Sequence, residues 1–274
     1  MCGTCGCSSE ENKIMILEPS TGKHEHSHDH DHGHHHHHHG HHHGDHHHDH
    51  DHHHDHNHRV IQLEQNILQH NDLMAAKNRG YFEAKGIFAL NLVSSPGSGK
   101  TAILERTLAD LKDEIPFYVI EGDQQTRNDA NRIAALDVPV LQINTGKGCH
   151  LESEIVLEAV KRLSIEKKGI LMIENVGNLV CPSMFDLGES KRVVIISPTE
   201  GDDKPLKYPN MFHTSDICII NKVDLAPYLD TDLEVLKENA RKVNPKLQFF
   251  EVSATRGTGM EEWYDWLKEE FKSV

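Results

Sequence analysis

Residues 87–101 read IFALNLVSSPGSGKT, an apolar run of strand length followed by a glycine-rich loop and a Lys-Thr pair. Such a loop can point successive backbone N–H groups at a phosphate, while its lysine reaches the β and γ phosphates and its hydroxyl binds Mg²⁺. Ser94 stands where the general pattern has its first glycine, so we expect Gly97 to relieve the turn instead. The residues expected to bind nucleotide are Gly97, Ser98, Gly99, Lys100 and Thr101, with Lys100 also catalytic and Thr101 also a magnesium ligand.

Around this loop, apolar runs of strand length alternate with amphipathic helical patterns. The further runs lie at 117–120, 140–143, 170–173, 193–196, 217–220 and 247–252, and the helical patterns lie near 60–85, 102–111, 151–163, 233–243 and 260–271. Nearly continuous apolar strands between helices favour a mostly parallel sheet with helices on both faces. The predicted fold class is therefore α/β, a P-loop NTPase domain over residues 59–274, with ligands at the carboxyl ends of the strands.

Two later segments predict the choice of base. Residues 221–224 read NKVD, and Ser253 and Ala254 follow the last predicted strand. A carboxylate can accept hydrogen bonds from both the ring N–H and the exocyclic amine of guanine, whereas adenine offers no such donor pair. GTP is therefore favoured over ATP. The residues expected at the base are Asn221, Lys222, Asp224, Ser253 and Ala254.

Acidic residues follow two of the predicted strands. Asp123 and Glu174 end apolar runs, and acids at strand ends that face phosphates can hold Mg²⁺ directly or through water. We assign both to the magnesium shell. Asp129 is expected to orient the attacking water, although it is equally typical of a charge at a helix N-terminus. Because no glutamine is clearly placed to position water, we expect slow hydrolysis.

A cysteine-histidine pair and a second cysteine predict a metal site. Cys149 and His150 follow the predicted strand at 140–143, and Cys181 follows the strand at 170–173, on the edge that holds the nucleotide. Three such ligands suit Zn²⁺ or Ni²⁺ and leave a coordination position open. The alternative is that Cys149 and Cys181 are small, inert core residues. Cys218 lies inside an apolar run and is assigned to the core.

The N-terminal segments carry two further metal-binding patterns. Residues 1–23 begin with Cys2, Cys5 and Cys7, a spacing that suits one Ni²⁺ or Cu²⁺ ion and lacks the surroundings of a redox pair. Residues 24–58 hold 23 of the 26 histidines, seven acids and almost nothing apolar, so we expect disorder. This tract could be a purification tag, a solvated charge run or a metal reservoir. Its length and its position after the cysteine motif favour the reservoir.

Composition excludes several classes of function. With 28 basic and 43 acidic residues, the net charge is -15, so no basic footprint for nucleic acid or an anionic membrane is expected. No apolar run approaches the roughly 18 residues of a membrane span, and no signal pattern opens the chain. Six cysteines, three within seven residues, do not suggest a disulfide framework. A cytosolic location is expected.

With these motifs assembled, the chain resembles the nickel-incorporation GTPases of hydrogenase maturation, the HypB family. The resemblance covers residues 1–7 and 59–274 and rests on SPGSGKT at 95–101, EGDQQT at 121–126, GCH at 148–150, ENVGNLVCP at 174–182 and NKVD at 221–224. It implies a SIMIBI-type G domain, Ni²⁺ or Zn²⁺ at the cysteine-histidine site and a homodimer that depends on nucleotide or metal. It also implies a HypA-type nickel chaperone as partner and the large subunit of a nickel-iron hydrogenase as recipient. The histidine tract resembles the storage extensions of some members.

Other functions remain open at this point. A urease-type nickel GTPase is similar in its phosphate loop, but its metal motif typically reads Cys-Pro-His, whereas here Cys149 and His150 are adjacent. A nickel or zinc storage protein with weak GTPase activity is a second alternative, and an interaction scaffold would leave Lys100 and Thr101 unexplained. Because Glu174 and Cys181 are seven residues apart, we expect the nucleotide state to alter the ligand geometry at the metal.

Overall fold

The computed structural model describes residues 15–17, 53–123, 128–163 and 165–274. The chain divides into two units. One unit comprises Ser20–Ile67, whose described part is the start of helix α1 (His53–Lys85). The other comprises Met1–Pro19 and Leu68–Val274, and it contains the sheet, the nucleotide site and the cysteine-histidine site.

Eight strands of the described residues form one sheet in the order β1-β4-β3-β5-β2-β6-β7-β8. Their bounds are β1 (Met15–Leu17), β2 (Ile87–Ser94), β3 (Phe117–Asp123), β4 (Val140–Asn144), β5 (Gly169–Glu174), β6 (Lys191–Ile196), β7 (Ile217–Ile220) and β8 (Gln248–Glu251). All neighbouring pairs are parallel except β1 and β4, which are antiparallel. The prediction of a mostly parallel sheet is confirmed.

Helices connect most of the strands. Their bounds are α2 (Lys100–Leu111), α3 (Asn128–Ala134), α4 (Ser153–Arg162), α5 (Lys204–Lys207), α6 (Pro209–His213), α7 (Leu233–Val243) and α8 (Met260–Lys272), with 3-10 helices at Cys181–Met184, Pro198–Glu200 and Val223–Tyr228. Across the described ranges, no helix combines the length and apolar character that crossing a membrane requires.

The central strand β2 shows why both faces of the sheet are covered. All eight of its residues are buried, and because alternate side chains point to opposite faces, each face has its own core. Phe88, Leu90 and Leu92 pack in one cluster with residues of α2 and α8, while Ile87 and Ala89 pack in another with residues of α1 and α4.

This strand order determines where ligands can bind. After β2 the chain builds β3, β4 and β5 on one side, and then β6, β7 and β8 on the other. The phosphate loop therefore lies at the topological switch point, where ligands of doubly wound sheets gather. The loops after β4 and β5, which carry the cysteines, flank it on one side, and the loops after β7 and β8 flank it on the other.

The N-terminal part differs from the sequence-based expectation at two places. Residues 15–17, which lie in the N-terminal segment 1–23 where no strand was expected, form the edge strand β1. A three-residue strand is too short for its own periodicity to reveal it. Helix α1 begins at His53, inside the tract predicted to be disordered. In this helix the apolar residue Leu73 is 67% exposed, whereas the polar residues Asn71 and Asn78 are buried.

Candidate nucleotide and metal sites

The phosphate loop is shaped by two glycines with positive φ. Gly97 and Gly99 have φ of +81° and +92°, a region in which other residues are strained. A Cβ atom at Gly99 would also collide with the carboxamide of Asn221. Ser98 is buried, and its Oγ donates a 3.0 Å hydrogen bond to Ser95 O. The turn therefore requires both glycines, and the loop that packs against it also requires Gly99.

The first turn of α2 meets the end of β5. Thr101 Oγ1 donates a 2.6 Å hydrogen bond to Glu174 Oε1, and Lys100 Nζ lies 3.3 Å from the same oxygen. Glu174 is 3% exposed, and its Oε2 has no hydrogen-bond partner among the described residues. A buried carboxylate oxygen is costly unless a donor or a cation compensates it. Because a hydroxyl and a carboxylate are hard oxygen ligands, these residues fit a magnesium ion.

The loop after β7 connects the phosphate loop to the loop after β8. Asn221 Nδ2 donates to Ser98 O at 3.0 Å, and its Oδ1 accepts from Ala254 N at 3.2 Å. Lys222, with φ of +62°, donates from Nζ to Gly97 O at 2.6 Å. The side chains of the NKVD motif thus hold the three nucleotide loops together.

Asp224 has the chemistry expected for a guanine site. Within the described residues its Oδ1 is buried without a hydrogen-bond partner, so the carboxylate retains an acceptor for a ligand N–H. Ser253 is fully buried, and its Oγ accepts from Arg256 N at 3.2 Å, which shapes the loop that presents the Ala254 amide. These residues therefore fit a guanine base.

Strand β3 contributes a residue to which the sequence alone assigned no role. Glu121 is 2% exposed and is the register partner of Glu174 on β5. Asp123, the expected magnesium residue, lies two positions further on at the end of β3, and its carbonyl accepts from Thr145 N at 2.9 Å. The structure therefore places Glu121 level with Glu174 and Asp123 beyond it at the same edge. Glu121 lies two residues before Asp123 near the end of the same strand, and this second acid is the feature of the sequence that could have identified it.

The predicted metal ligands lie together. One ligand atom from each of Cys149, His150 and Cys181 lies within 4.8 Å of the others, and Cys149 Sγ is 3.6 Å from His150 Nδ1. In the described part of the chain, no other group of three or more His, Cys, Asp or Glu side chains is so arranged. Cys181 is a free, buried thiol at the start of its 3-10 helix. Cys218 is fully buried in β7, and burial raises the pKa of its thiol.

Two side chains outside the ligand set lie against the His150 ring. Phe185 stacks on the imidazole with ring centroids 3.8 Å apart and planes 24° from parallel. Glu152 Oε1 lies 3.7 Å from His150 Nε2, on the side of the ring away from the atom nearest Cys149. Interaction with His150 keeps the pKa of the Glu152 carboxyl below its ordinary value, although burial alone would raise it. Spacing in the sequence gave no signal for Phe185.

The segment after Cys181 is tied to the sheet by a buried ion pair. Arg192 donates to Glu189 at 2.9 Å, and both side chains are 7% exposed. The same guanidinium donates to Phe185 O at 2.9 Å. Asp186 binds Arg79 of α1; burial would raise the pKa of the Asp186 carboxyl, but this hydrogen bond and that of the Gly188 amide hold it below its ordinary value. The residue that stacks on His150 is therefore fixed at its backbone.

A further contact reaches the phosphate loop from the segment after β6. Ser95 Oγ donates a hydrogen bond to the carboxylate of Glu200. The same carboxylate forms an ion pair with Lys204 at 3.1 Å and accepts a hydrogen bond from Ser197 N at 2.9 Å. Glu200 had no assignment from the sequence, because its partner Ser95 is more than 100 residues away.

Some predicted residues lie outside the described structure. They are Cys2, Cys5, Cys7 and the part of the histidine tract before His53. Asp129 lies in α3, but its side chain is also outside the described part. Their assignments stay predictions.

Comparison with known proteins agrees with this fold. A family model described as the CobW/HypB/UreG nucleotide-binding domain matches residues 88–251. The phosphate loop on a mostly parallel sheet, with the guanine-type loops beside it, defines a P-loop GTPase of this class.

Curated relatives define the family more closely. The hydrogenase maturation factor HypB of Rhizobium leguminosarum bv. viciae is 57% identical over 210 residues, which cover 77% of this chain and 70% of that protein. HypB of Escherichia coli K12 is 53% identical over 210 residues, which cover 77% of this chain and 72% of that protein. The chain belongs to the HypB family of hydrogenase maturation factors, and the function predicted from the resemblance is confirmed at this level.

Solved structures agree. HypB from Helicobacter pylori, crystallised in complex with nickel, is 41% identical with a TM-score of 0.71, covering 74% of this chain and 95% of that one. HypB from Archaeoglobus fulgidus is 38% identical with a TM-score of 0.69, and the match covers 74% of this chain and 99% of that one.

Proposed function

We propose that this GTPase binds nickel and delivers it to the large subunit of a nickel-iron hydrogenase, in steps timed by GTP. One observation carries the proposal. Glu174 bonds to Thr101 of the phosphate loop helix, and the segment that it begins leads in seven residues to Cys181 of the cysteine-histidine cluster. Nucleotide chemistry and metal ligation therefore share one short stretch of backbone. The crystal structure of the Helicobacter pylori relative in complex with nickel supports this choice of cargo.

The residues at the nucleotide have separable roles in this proposal. The loop amides from Gly97 to Thr101 and the Lys100 ammonium bind the phosphates, and Asp224 selects guanine. Thr101, Glu174 and Asp123 hold Mg²⁺, which when bound neutralises charge on the phosphates. Asp129 is assigned to orienting water. In the absence of a clearly placed glutamine, hydrolysis is expected to be slow.

The metal cluster is proposed to bind Ni²⁺ or Zn²⁺. Two thiolates and one imidazole suit both ions and leave a coordination position open, so an ion can pass to another set of ligands. The Cys2, Cys5 and Cys7 motif is proposed as a second nickel site, and residues 24–58 as a nickel reservoir. This division assigns storage to residues 1–58 and timed transfer to residues 59–274.

We also propose a homodimer, a HypA-type nickel chaperone as partner and a location in the cytoplasm. Val180 and Met184, on either side of Cys181, are 48% and 52% exposed. Exposed apolar side chains beside an open metal site are suited to contact a second chain. Within the described residues, Cys149, Cys181 and Cys218 form no disulfide, and a lack of disulfides is usual in a reducing compartment.

The decisive experiment measures hydrogenase activity and hydrogenase-bound nickel in cells that carry Lys100→Ala, Cys149→Ala or a deletion of residues 24–58. Matched controls are Lys272→Ala, at an exposed lysine of α8, and Cys218→Ala, at a free thiol outside the cluster. We expect the two site variants to lose activity at ordinary nickel levels and the deletion to fail only when nickel is scarce. Normal maturation with Lys100→Ala would overturn the proposal.

Delivery to urease is a second candidate. A Helicobacter pylori relative named hydrogenase/urease maturation factor HypB is 41% identical over 213 residues, covering 76% of this chain and 87% of that protein. Urease activity measured in the same variants, in a host with both apoenzymes, separates the two recipients.

A further inference from the structure

Asn175 connects the phosphate loop, through its backbone carbonyl, to the loop that carries Cys149 and His150, through its side chain. Asn175 is 0% exposed, and its carbonyl accepts a 2.6 Å hydrogen bond from Lys100 Nζ. Its Oδ1 accepts from Leu151 N at 3.2 Å and from Val176 N at 2.9 Å, and its Nδ2 donates to Asn91 Oδ1 at 3.2 Å. Every polar atom of the side chain is therefore engaged.

We propose that Asn175 is a positioning residue that transmits the state of the nucleotide to the Cys149–His150 half of the metal cluster. This inference rests on the proposed function, because it assumes that the cluster binds an ion. Leu151 directly follows His150, so a hydrogen bond to its amide acts one residue from a ligand. The other half, Cys181, is reached along the backbone from Glu174. The adjacent pair Glu174 and Asn175 thus controls both halves.

The physical step is competition for the Lys100 ammonium. In P-loop proteins this lysine binds the β and γ phosphates, and here the same ammonium binds Asn175 O. A bound γ phosphate and the Asn175 carbonyl therefore compete for one cation. The hydrogen bond from Lys100 to that carbonyl is expected to differ in strength between the GTP-bound and GDP-bound forms. Because the side chain is enclosed and both of its polar atoms are hydrogen-bonded, it must follow its backbone, and Leu151 N follows its Oδ1. Such differential contact is the condition for a ligand to shift an equilibrium.

Asn71 provides a matched control in the same region. Its Oδ1 accepts from Ser153 N at 2.9 Å, two residues beyond Leu151, and its Nδ2 donates to Asp186 O at 2.7 Å. Asn71 is 4% exposed and lies on α1, and neither of these two hydrogen bonds involves Lys100. Both asparagines hold the start of α4 through one backbone amide, but Asn175 also accepts the hydrogen bond from Lys100 of the phosphate loop. The Asn71→Ala variant therefore loosens the segment around Leu151 and Ser153 but keeps the connection from Lys100 through Asn175 to Leu151.

The first experiment reads occupancy of the cluster at one residue of the full chain. Alkylation of Cys149 is measured by mass spectrometry at buffered free Zn²⁺, with GDP or a non-hydrolysable GTP analogue bound. We expect the Zn²⁺ midpoint to differ between the two forms by about fivefold or more in the wild type and in Asn71→Ala. In Asn175→Ala, we expect the difference to shrink below about twofold. A wild-type difference retained in Asn175→Ala overturns the inference and leaves the proposed function standing.

The second experiment needs no variant and so does not depend on the folding of Asn175→Ala. Hydrogen exchange of single backbone amides is followed by NMR in the wild-type chain with each nucleotide. We expect the Leu151 amide to exchange at rates that differ by about fivefold or more between GDP and the GTP analogue, while the Ser153 amide changes by less than about twofold. Equal exchange at Leu151 overturns the inference. If Zn²⁺ protects Cys149 in neither form, the proposed metal site fails together with it.

Discussion

Thr101 Oγ1 donates its hydrogen bond to Glu174 Oε1 at 2.6 Å, which joins the phosphate loop helix to the last residue of β5. The other oxygen of Glu174 is buried without a hydrogen-bond partner within the described residues. The hydroxyl and the carboxylate that are suited to Mg²⁺ are thus already side by side. The segment that continues from Glu174 carries Cys181, which is a proposed metal ligand.

Glu174→Gln tests this pairing directly. An amide cannot supply the charge that Mg²⁺ requires, so we expect kcat for GTP hydrolysis to fall by about 100-fold and the Mg²⁺ requirement to rise by about tenfold. Initial rates measured across a Mg²⁺ series test both expectations. Glu269→Gln, on the exposed face of α8, is the control and should leave the rates unchanged. An unaltered Mg²⁺ requirement in Glu174→Gln would remove this carboxylate from the magnesium shell.

Asp224→Asn should change the choice of base. The carboxylate accepts from two guanine N–H groups, and an amide in its place sets a donor against a donor, so we expect GTP affinity to fall by about 100-fold or more. Xanthosine triphosphate carries an oxygen where guanine has its amine, so its affinity should rise in the same variant. Equilibrium binding of both nucleotides measures the exchange. Unchanged GTP affinity would contradict the assignment of Asp224.

Asn221→Ala should loosen the nucleotide site and the fold together. The substitution leaves Ser98 O and Ala254 N without their buried partner. Each unsatisfied group lowers the free energy of unfolding by about 1–3 kcal/mol. For a domain of this size, each kcal/mol lowers Tm by roughly 2–4 °C. Calorimetry should therefore show a fall of several degrees, together with weaker GTP binding. Asn210→Ala, at an exposed asparagine of α6, should shift Tm by less than about 1 °C.

Phe185→Leu should weaken metal binding without affecting hydrolysis. The variant removes a ring stacked at 3.8 Å on His150, and such contacts contribute about 0.5–1.5 kcal/mol. Zn²⁺ protection of Cys149 should therefore need about two- to tenfold more free metal. Phe88→Leu is the matched control, because both phenylalanines are 7% exposed and Phe88 lies against Trp266 instead. An equal loss in both variants would mean that the effect is general destabilisation.

The parallel sheet could be predicted because each strand from β2 to β8 is an apolar run between turn or helix signals. The proximity of Cys149 and Cys181 could be predicted for a related reason, since both follow carboxyl ends of strands that lie near each other in such a sheet. The edge strand β1 could not, because three residues gain their structure only by pairing with β4.

The supporting contacts of the site were beyond sequence reasoning. Asn175 and Leu151 are 24 residues apart, and Ser95 and Glu200 are 105 apart, so no local periodicity connects them. Phe185 reaches His150 because a 3-10 helix turns the chain after Cys181, and the length of such a turn is not encoded in a hydrophobic pattern. Motifs predict which residues carry chemistry, and long-range packing determines which residues hold them.

Release of nickel from the cysteine-histidine cluster tests the central claim most directly. The rate is followed by thiolate-to-nickel charge-transfer absorbance after a chelator is added to the full chain carrying Cys2→Ser, Cys5→Ser and Cys7→Ser. We predict that the rates with GDP and with a non-hydrolysable GTP analogue differ by about fivefold or more. Equal rates in the two forms would contradict the claim that hydrolysis times the transfer of the ion.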